Sequence, residues 1–433
     1  MNLTPIEKWI MDKANIKKKD RGELEKYQLN KIQEILAYVK KYSKFYKEHL
    51  ADNEEGNISS FEEFEKIPFT LPHHIRDNPL SFLCVPQKDI ARVVTLRSSG
   101  TSGEEKRIFF TEKDLELTID FFKHGMRCLV DKGDKVLVLL PGESYGSIGD
   151  LLKKALKEID IECHVQGVLV NPKDTANFIQ NKGINCIVGI PIQLLHLSRV
   201  ESQIFKDNIE KILLSTDYVP ETLIKEITDK FGCKVFTHYG MTEMGYGGGV
   251  ECEALKGYHM RDADLYFEII DKATGKRVED GQSGEVVFTT LTREGMPLIR
   301  YRTGDIASFS QAPCCCGTFL KRMNRVSGRI ENSIIIDKNI IIHMKDLDES
   351  ILSFTEVINY KAYIKDKNVL LIELFTLDQD KFYRSHEKIM DSIRNIPSVK
   401  DGLNRESIQI VLKKSKENIQ INNSMVKRKI HRI

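Results

Sequence analysis

Between Lys135 and Thr237 one pattern recurs: a short apolar run, a turn, then a stretch with apolar residues at helical spacing. Lys135-Val-Leu-Val-Leu-Leu140, Cys163–Val170, Cys186–Ile190, Lys211–Leu214 and Lys234–Thr237 read as strands. The stretches from about Ser147 to Glu158, Asn171 to Lys182 and Pro220 to Lys230 read as helices, with another helix after Pro191. Strands without a polar alternate face must be covered on both sides. Strand and helix in alternation therefore predict an α/β fold with a largely parallel sheet flanked by helices. In such sheets ligands bind where strands end in loops, and the polar motifs of this chain sit there.

The flanks differ. Residues 1 to about 50 read as helical, with Leu29, Ile32, Ile35, Leu36 and Val39 on one stripe, and Ile67-Pro-Phe-Thr-Leu-Pro72 reads as a loop. After Gly240, glycine-rich turns separate Leu265–Ile270, Gly284–Leu291 and Leu298–Tyr301, short strands of a more antiparallel, barrel-like subdomain. A small β+α module begins near Gly328. The expected domains are 1–328 and 329–433.

The 433 residues carry a net charge of +2 with signs mixed throughout, which gives no case for nucleic acid as a main partner. No apolar run reaches membrane-spanning length, and Met1-Asn-Leu-Thr-Pro-Ile-Glu-Lys8 lacks the pattern of a signal peptide, so a cytoplasmic protein is expected. The nine cysteines are an odd number, and five of them stand singly in apolar segments as reduced core residues do.

Thr95-Leu-Arg-Ser-Ser-Gly-Thr-Ser-Gly-Glu-Glu-Lys-Arg107 sets two glycines, five hydroxyls and a lysine between Val93-Val94 and Ile108-Phe109-Phe110. Small residues let backbone N–H groups approach an anion, and hydroxyls and Lys106 add donors and charge. The stretch suits a polyphosphate cradle, although the Gly-x-x-x-x-Gly-Lys-Ser/Thr pattern cannot be threaded through it. A polar hairpin turn is the other reading of the same residues.

Three further segments follow strands: His238-Tyr-Gly-Met-Thr-Glu243, Tyr301-Arg-Thr-Gly-Asp305 and Gly328-Arg329. In this order and spread the set resembles the adenylate-forming superfamily of acyl-CoA synthetases, luciferase and peptide-synthetase adenylation domains. Ile67-Pro-Phe-Thr70, Glu251-Cys-Glu253 and the Cys-rich insert make it similar to the phenylacetate–CoA ligase branch. The resemblance implies a large adenylation domain and a small mobile α+β domain that rotates between adenylation of a carboxylic acid and transfer of the acyl group to CoA.

It also implies roles. Ser98, Ser99, Gly100, Thr101, Ser102, Gly103 and Lys106 hold the β- and γ-phosphates of ATP. Tyr239, after which comes Gly240, offers a face to adenine, Thr242 donates to the α-phosphate and Glu243 ligates magnesium. Asp305 accepts from the ribose hydroxyls, with Arg329 nearby. Tyr145, the loop Gly189–Gln193, His238 and Gly245–Gly248 are expected to line the acid pocket. The family's catalytic lysine falls in the tail Asn423–Arg432, where Lys427 is the first candidate and Lys429 the second, without the usual preceding glycine.

Three other departures occur, of which the loop after the hinge, at Asp337-Lys338-Asn339, bears on the acceptor. Glu331 stands at the hinge, where an aspartate or lysine is common. Asp337-Lys338-Asn339 replaces a glycine that admits the pantetheine arm, and Ser215-Thr-Asp217 replaces a glycine-rich turn beside adenine. A carrier-protein or protein thiol, or an amine, thus rivals CoA as acceptor, and a nucleotide-binding regulatory protein without catalysis rivals the ligase. Cys252 and His259, with Cys314 and Cys316, offer two short-spaced ligand pairs for a closed zinc site, with Cys315 pointing away. Free thiols or a redox pair are the alternatives. The expected assembly is a homodimer.

Overall fold

Thr4 opens the first helix, Pro5–Ala14, through a capping box with Glu7, and Asn15 closes it in the left-handed conformation. The computed structural model that this helix begins describes residues 3–51, 58–97, 105–337, 340–377, 379–415 and 428–433. Two compact units emerge. One comprises Met1–Gly133, Pro141–Glu162 and Phe236–Ser327, and the other Asp134–Leu140, Cys163–Val235 and Gly328–Ile433. One edge of this division falls at Ser327/Gly328, beside the expected domain boundary. The C-terminal stretch, however, clusters with residues 134–140 and 163–235 rather than by itself.

In the first unit the N-terminal helical region is three helices, Pro5–Ala14, Arg21–Tyr42 and Lys44–His49. Asn15 and the Asp20 cap interrupt what reads as one amphipathic stretch. Glu7 does more than cap: fully buried, it accepts from Thr318 Oγ1 at 2.9 Å and Phe319 N at 3.1 Å, fastening the segment after Cys316. Arg92–Arg97 and Glu105–Phe110 pair antiparallel, register Arg97↔Glu105. The strands Arg322–Met323, Tyr258–Met260, Gly249–Glu251 and Lys234–Tyr239 form one antiparallel run, and Leu265–Ile270, Gly284–Thr290 and Tyr301–Ala307 another.

The expected strand Leu298–Tyr301 is displaced: pairing begins at Tyr301 and runs to Ala307. Arg300 causes the shift. Its backbone is left-handed at φ 46, which ends an extended run, and its side chain turns inward to a bidentate pair with Glu268 at 2.9 and 3.1 Å. The same guanidinium donates to the carbonyls of Glu65 and Ile67, so this buried cation joins the loop Ile67–Thr70 to the sheet.

In the second unit Lys211–Leu214, Cys186–Gly189 and Lys135–Leu139 run parallel, with Glu162–Val165 at the edge. The edge strand stops at Val165 rather than Val170, where Gly167 turns the chain at φ 77. Helices Pro172–Lys182, Pro191–Val200 and Glu221–Phe231 follow their strands as expected. The C-terminal stretch builds a sheet in the order Gln409–Lys414, Val369–Thr376, Val357–Lys365, Ile430–Arg432 with helices Gln379–Arg394 and Pro397–Asn404. One apolar core runs from Leu137, Ile187 and Ile212 to Leu347, Ile372 and Ile393. Arg199 closes it, donating to Leu352 O at 2.6 Å and Phe354 O at 3.0 Å while paired with Glu226. Among the described residues no helix is long and apolar enough to cross a membrane.

Removing one member of a buried ion pair leaves its partner charged and desolvated. Arg300→Met is therefore expected to lower the stability of the first unit by about 3–5 kcal/mol, read from the shift of its urea unfolding transition.

Candidate active site

Alternation along the strand Tyr301–Ala307 sends Tyr301, Thr303 and Asp305 to one buried face and Arg302 to the other. The motif Tyr-Arg-Thr-Gly-Asp is thus a spacing of functional groups by two. Arg302 pairs with Glu285 on the adjacent strand. Gly304 sits at φ 74, where a side chain would strain the backbone.

Two clusters form on the inner face. In the first, Lys106 from the strand Glu105–Phe110 pairs with the carboxylate of Glu243 and donates to Tyr301 Oη at 3.1 Å. Tyr301 donates in turn to Glu243 Oε1 at 3.2 Å. Glu243 is 4% exposed, and a buried carboxylate of this kind must have a cation partner. In the second, the Tyr239 hydroxyl donates to Asp305 Oδ2 at 3.1 Å. Both residues are buried, and the Asp305 backbone N–H is fixed by Thr303 Oγ1 at 3.0 Å.

Glu243 stands on a single 3-10 turn, Thr242–Met244, closed by Gly245 at φ 71. The turn follows the strand Lys234–Tyr239 through Gly240, where an added Cβ would run into the carbonyl of Tyr246. Thr242 is half-buried beside Glu243. The turn is held from below, because Thr118 donates to Gly245 O at 3.0 Å and Tyr246 to Gly146 O at 3.3 Å. Two residues that contact Glu243 were not singled out from the sequence, and Arg293 is one. It donates to Glu243 O and to Phe109 O, both at 2.8 Å, and lies 4.4 Å over the Phe110 ring. Tyr301 is the other, although its motif was in view.

The residues expected at the acid pocket are placed unequally. His238, paired with Val250 in register, packs against Phe121 and Phe122 with ring centroids 6.4 and 6.2 Å away. Burial pushes its imidazolium down to about 4, so the ring is neutral near pH 7. Tyr145 lies outward, 48% exposed, donating to Glu112 with Lys154 over its ring at 4.3 Å. Gly245 lines a cavity of about 20 Å³ with Thr118, Arg261 and Arg293, room for a water molecule. Ser98, Ser99, Gly100, Thr101, Ser102, Gly103, Lys338 and Lys427 lie outside the described residues. Arg329 belongs to the second unit, on the short strand Gly328–Arg329.

The four expected metal ligands converge. Cys252, His259, Cys314 and Cys316 hold their ligand atoms within 4.8 Å of one another. Cys252 Sγ lies 3.7 Å from Cys314 Sγ, and Cys316 Sγ 3.5 Å from His259 Nε2. A tetrahedral centre with Zn–S of about 2.3 Å and Zn–N of about 2.0–2.1 Å separates two sulfurs by about 3.8 Å and sulfur from nitrogen by about 3.6 Å. The donor set fits that ion. Cys315 is exposed and outside the cluster, and all nine cysteines are free of disulfides.

The sequence profile of the AMP-binding enzymes matches residues 43–291, more than half of the chain. The chain belongs to the AMP-binding enzyme family. Within the family it is similar to the phenylacetate–coenzyme A ligase of Thermus thermophilus, 27% identical over 366 residues that cover 81% of this chain and 80% of that one. The enzyme of the same name from Escherichia coli is 28% identical over 308 residues, 67% of each chain. Among solved structures, 2-hydroxyisobutyryl-CoA ligase in the postadenylation state shares the fold at a TM-score of 0.79 and 18% identity, covering 95% of this chain and 90% of that one. The amide bond synthetase McbA from Marinactinospora thermotolerans shares it at 0.53 and 12%, over 79% and 68%.

The depressed His238 pKa sets a pH dependence. Between about pH 4 and 6.5 the unfolded chain binds the proton that the folded ring refuses, so stability rises with pH through that window. His238→Gln is expected to flatten this rise by about 2–3 kcal/mol, measured as chemical denaturation midpoints at pH 4.5 and 7.

Proposed function

We propose that the protein activates a carboxylic acid with ATP and passes the acyl group to CoA, as an AMP-forming acid–thiol ligase. The observation that carries this reading is the pairing of Lys106 with Glu243 beside Tyr301, with Asp305 four residues further along the same strand face. A cation for the departing pyrophosphate, a hard-oxygen ligand for magnesium and an acceptor for ribose thereby stand on adjoining elements. The 26–28% identical relatives named phenylacetate–coenzyme A ligase support an aryl or apolar acid and CoA.

In the first step a carboxylate oxygen of the acid attacks the α-phosphorus, the bond to the β-phosphate oxygen breaks, and pyrophosphate leaves. Lys106 and the loop Ser98–Gly103 hold the leaving phosphates, Thr242 donates to the α-phosphate and Glu243 is the carboxylate for magnesium, which when bound screens the phosphate charge. Tyr239 and Asp305 take the adenosine, with Arg329 beside the ribose, and Lys427 serves the adenylation step. In the second step the thiolate of CoA attacks the acyl carbon and AMP departs. Division of the chain at 328/329 into adenylation domain and mobile lid belongs to the same reading. So do a cytoplasmic setting, which the disulfide-free cysteines suit, and a homodimeric assembly.

The protein also holds one structural zinc at Cys252, His259, Cys314 and Cys316, pinning the insert between Asp305 and Arg329. Glu7 fastens the adjoining Thr318 and Phe319 from the N-terminal helix.

Acid-dependent ATP–pyrophosphate exchange across a panel of aryl and apolar acids tests the first step. Exchange with CoA thioester formation is expected, and Glu243→Gln is expected to reduce exchange by at least about 100-fold. Exchange without thioester would point to another thiol or an amine as acceptor, and ATP binding without exchange to a regulatory protein. Metal analysis of purified protein is expected to give one zinc per chain, lost on joint substitution Cys314→Ser and Cys316→Ser. Zinc retained by that variant would remove the site.

A further inference from the structure

We infer that Arg293 is a positioning residue for the metal carboxylate Glu243, an assignment that rests on Glu243 ligating the divalent cation of the bound nucleotide. Glu243 sits on a turn of three residues, too short to hold its own shape. The turn's backbone bonds run to the carbonyls of Met241 and Thr242, which accept from Met244, Tyr246 and Gly245. The carbonyl of Glu243 itself accepts from Arg293 Nη1 at 2.8 Å. The other arm of the same guanidinium, Nη2, holds the carbonyl of Phe109 at 2.8 Å.

Phe109 lies on the strand that carries Lys106. One planar fork thus fixes the spacing between the element bearing the phosphate lysine and the element bearing the metal carboxylate. The Arg293 side chain is 6% exposed and stacks on Phe110, which leaves it little room to swing. Its own segment is anchored by Asp114, whose carboxylate also lies 3.9 Å from Arg293 Nε. Glu294 N and Gly295 N donate to the Asp114 carboxylate at 2.9 and 3.1 Å, and Asp114 closes the capping box of the helix Glu112–Met126. The rigidity of that helix start therefore reaches Glu243 through Arg293, which holds the backbone of that residue rather than its carboxylate. Removal of a group that orients a metal ligand characteristically weakens metal affinity about 10- to 100-fold.

The test is the affinity of a fluorescent ATP analogue for the full chain, measured in EDTA and in Mn2+, for wild type, Arg293→Met and Arg293→Lys. Mn2+ is expected to tighten binding at least about tenfold in wild type. In Arg293→Met that tightening falls to about twofold or less, while affinity in EDTA stays within about threefold of wild type. Arg293→Lys keeps the charge but reaches one carbonyl instead of two, and is expected between them. Equal tightening in all three proteins, no tightening in wild type, or loss of EDTA affinity to the same degree as Mn2+ affinity overturns the assignment. So does failure of both variants to fold, which would make Arg293 a scaffold residue. Wild type that shows the Mn2+ effect, loses it with Arg293, and yet lacks acid-dependent exchange would sink the ligase reading and leave this assignment standing.

Discussion

A carboxylate that is to ligate a metal must be desolvated enough to bind it and yet cannot wait as an uncompensated buried charge. Glu243, at 4% exposure, meets both conditions through Lys106 and Tyr301. The surrounding architecture follows from this arrangement. The hairpin strand Glu105–Phe110 brings the ammonium, the strand Tyr301–Ala307 brings the phenol, and the turn after Tyr239 brings the carboxylate. Three elements far apart in sequence meet at one ion pair, so misplacement of any one leaves a buried charge alone.

Glycine makes the approach geometrically available at two of these elements. At Gly240 the neighbouring Tyr246 carbonyl leaves no space for a side chain, and at Gly304 the backbone takes a left-handed angle inside a strand. Asp305 can then lie on the same face as Tyr301 while the strand bends between them. The motif glycines are therefore requirements of backbone path rather than flexible spacers.

The legibility of the chain follows the range of the interactions. Lys211–Leu214 and Leu265–Ile270 occupy the strands that their apolar runs mark out, because burial of a continuous run decides them locally. Leu298–Tyr301 carries an equally good strand pattern and fails, since Arg300 turns inward to Glu268, 32 positions away in sequence. The convergence of Cys252, His259, Cys314 and Cys316 was readable because cysteine and histidine advertise their chemistry by type. Arg293 was not, since it works through backbone carbonyls, and no side-chain pattern records which carbonyl a buried arginine will find. Tyr145, expected at the pocket wall from the family resemblance, is drawn to the surface by its local hydrogen bond to Glu112.

One consequence concerns the order of events at the site. Lys106 is a single cation, and its ammonium here neutralises Glu243. A triphosphate carries more charge than one carboxylate and draws the ammonium away, but that leaves Glu243 buried and anionic beside anionic phosphate. A divalent cation held by Glu243 would resolve the conflict by replacing the lysine's charge on that carboxylate. On the proposed function, ATP and metal would therefore be coupled at this site, each making room for the other by moving the same ammonium. Tyr301 hydrogen-bonds both members of the pair, so it would remain a partner to Glu243 if Lys106 turned to a phosphate. If the site takes ATP as proposed, the ion pair is the resting form of the phosphate grip, neutral until a nucleotide arrives with its metal.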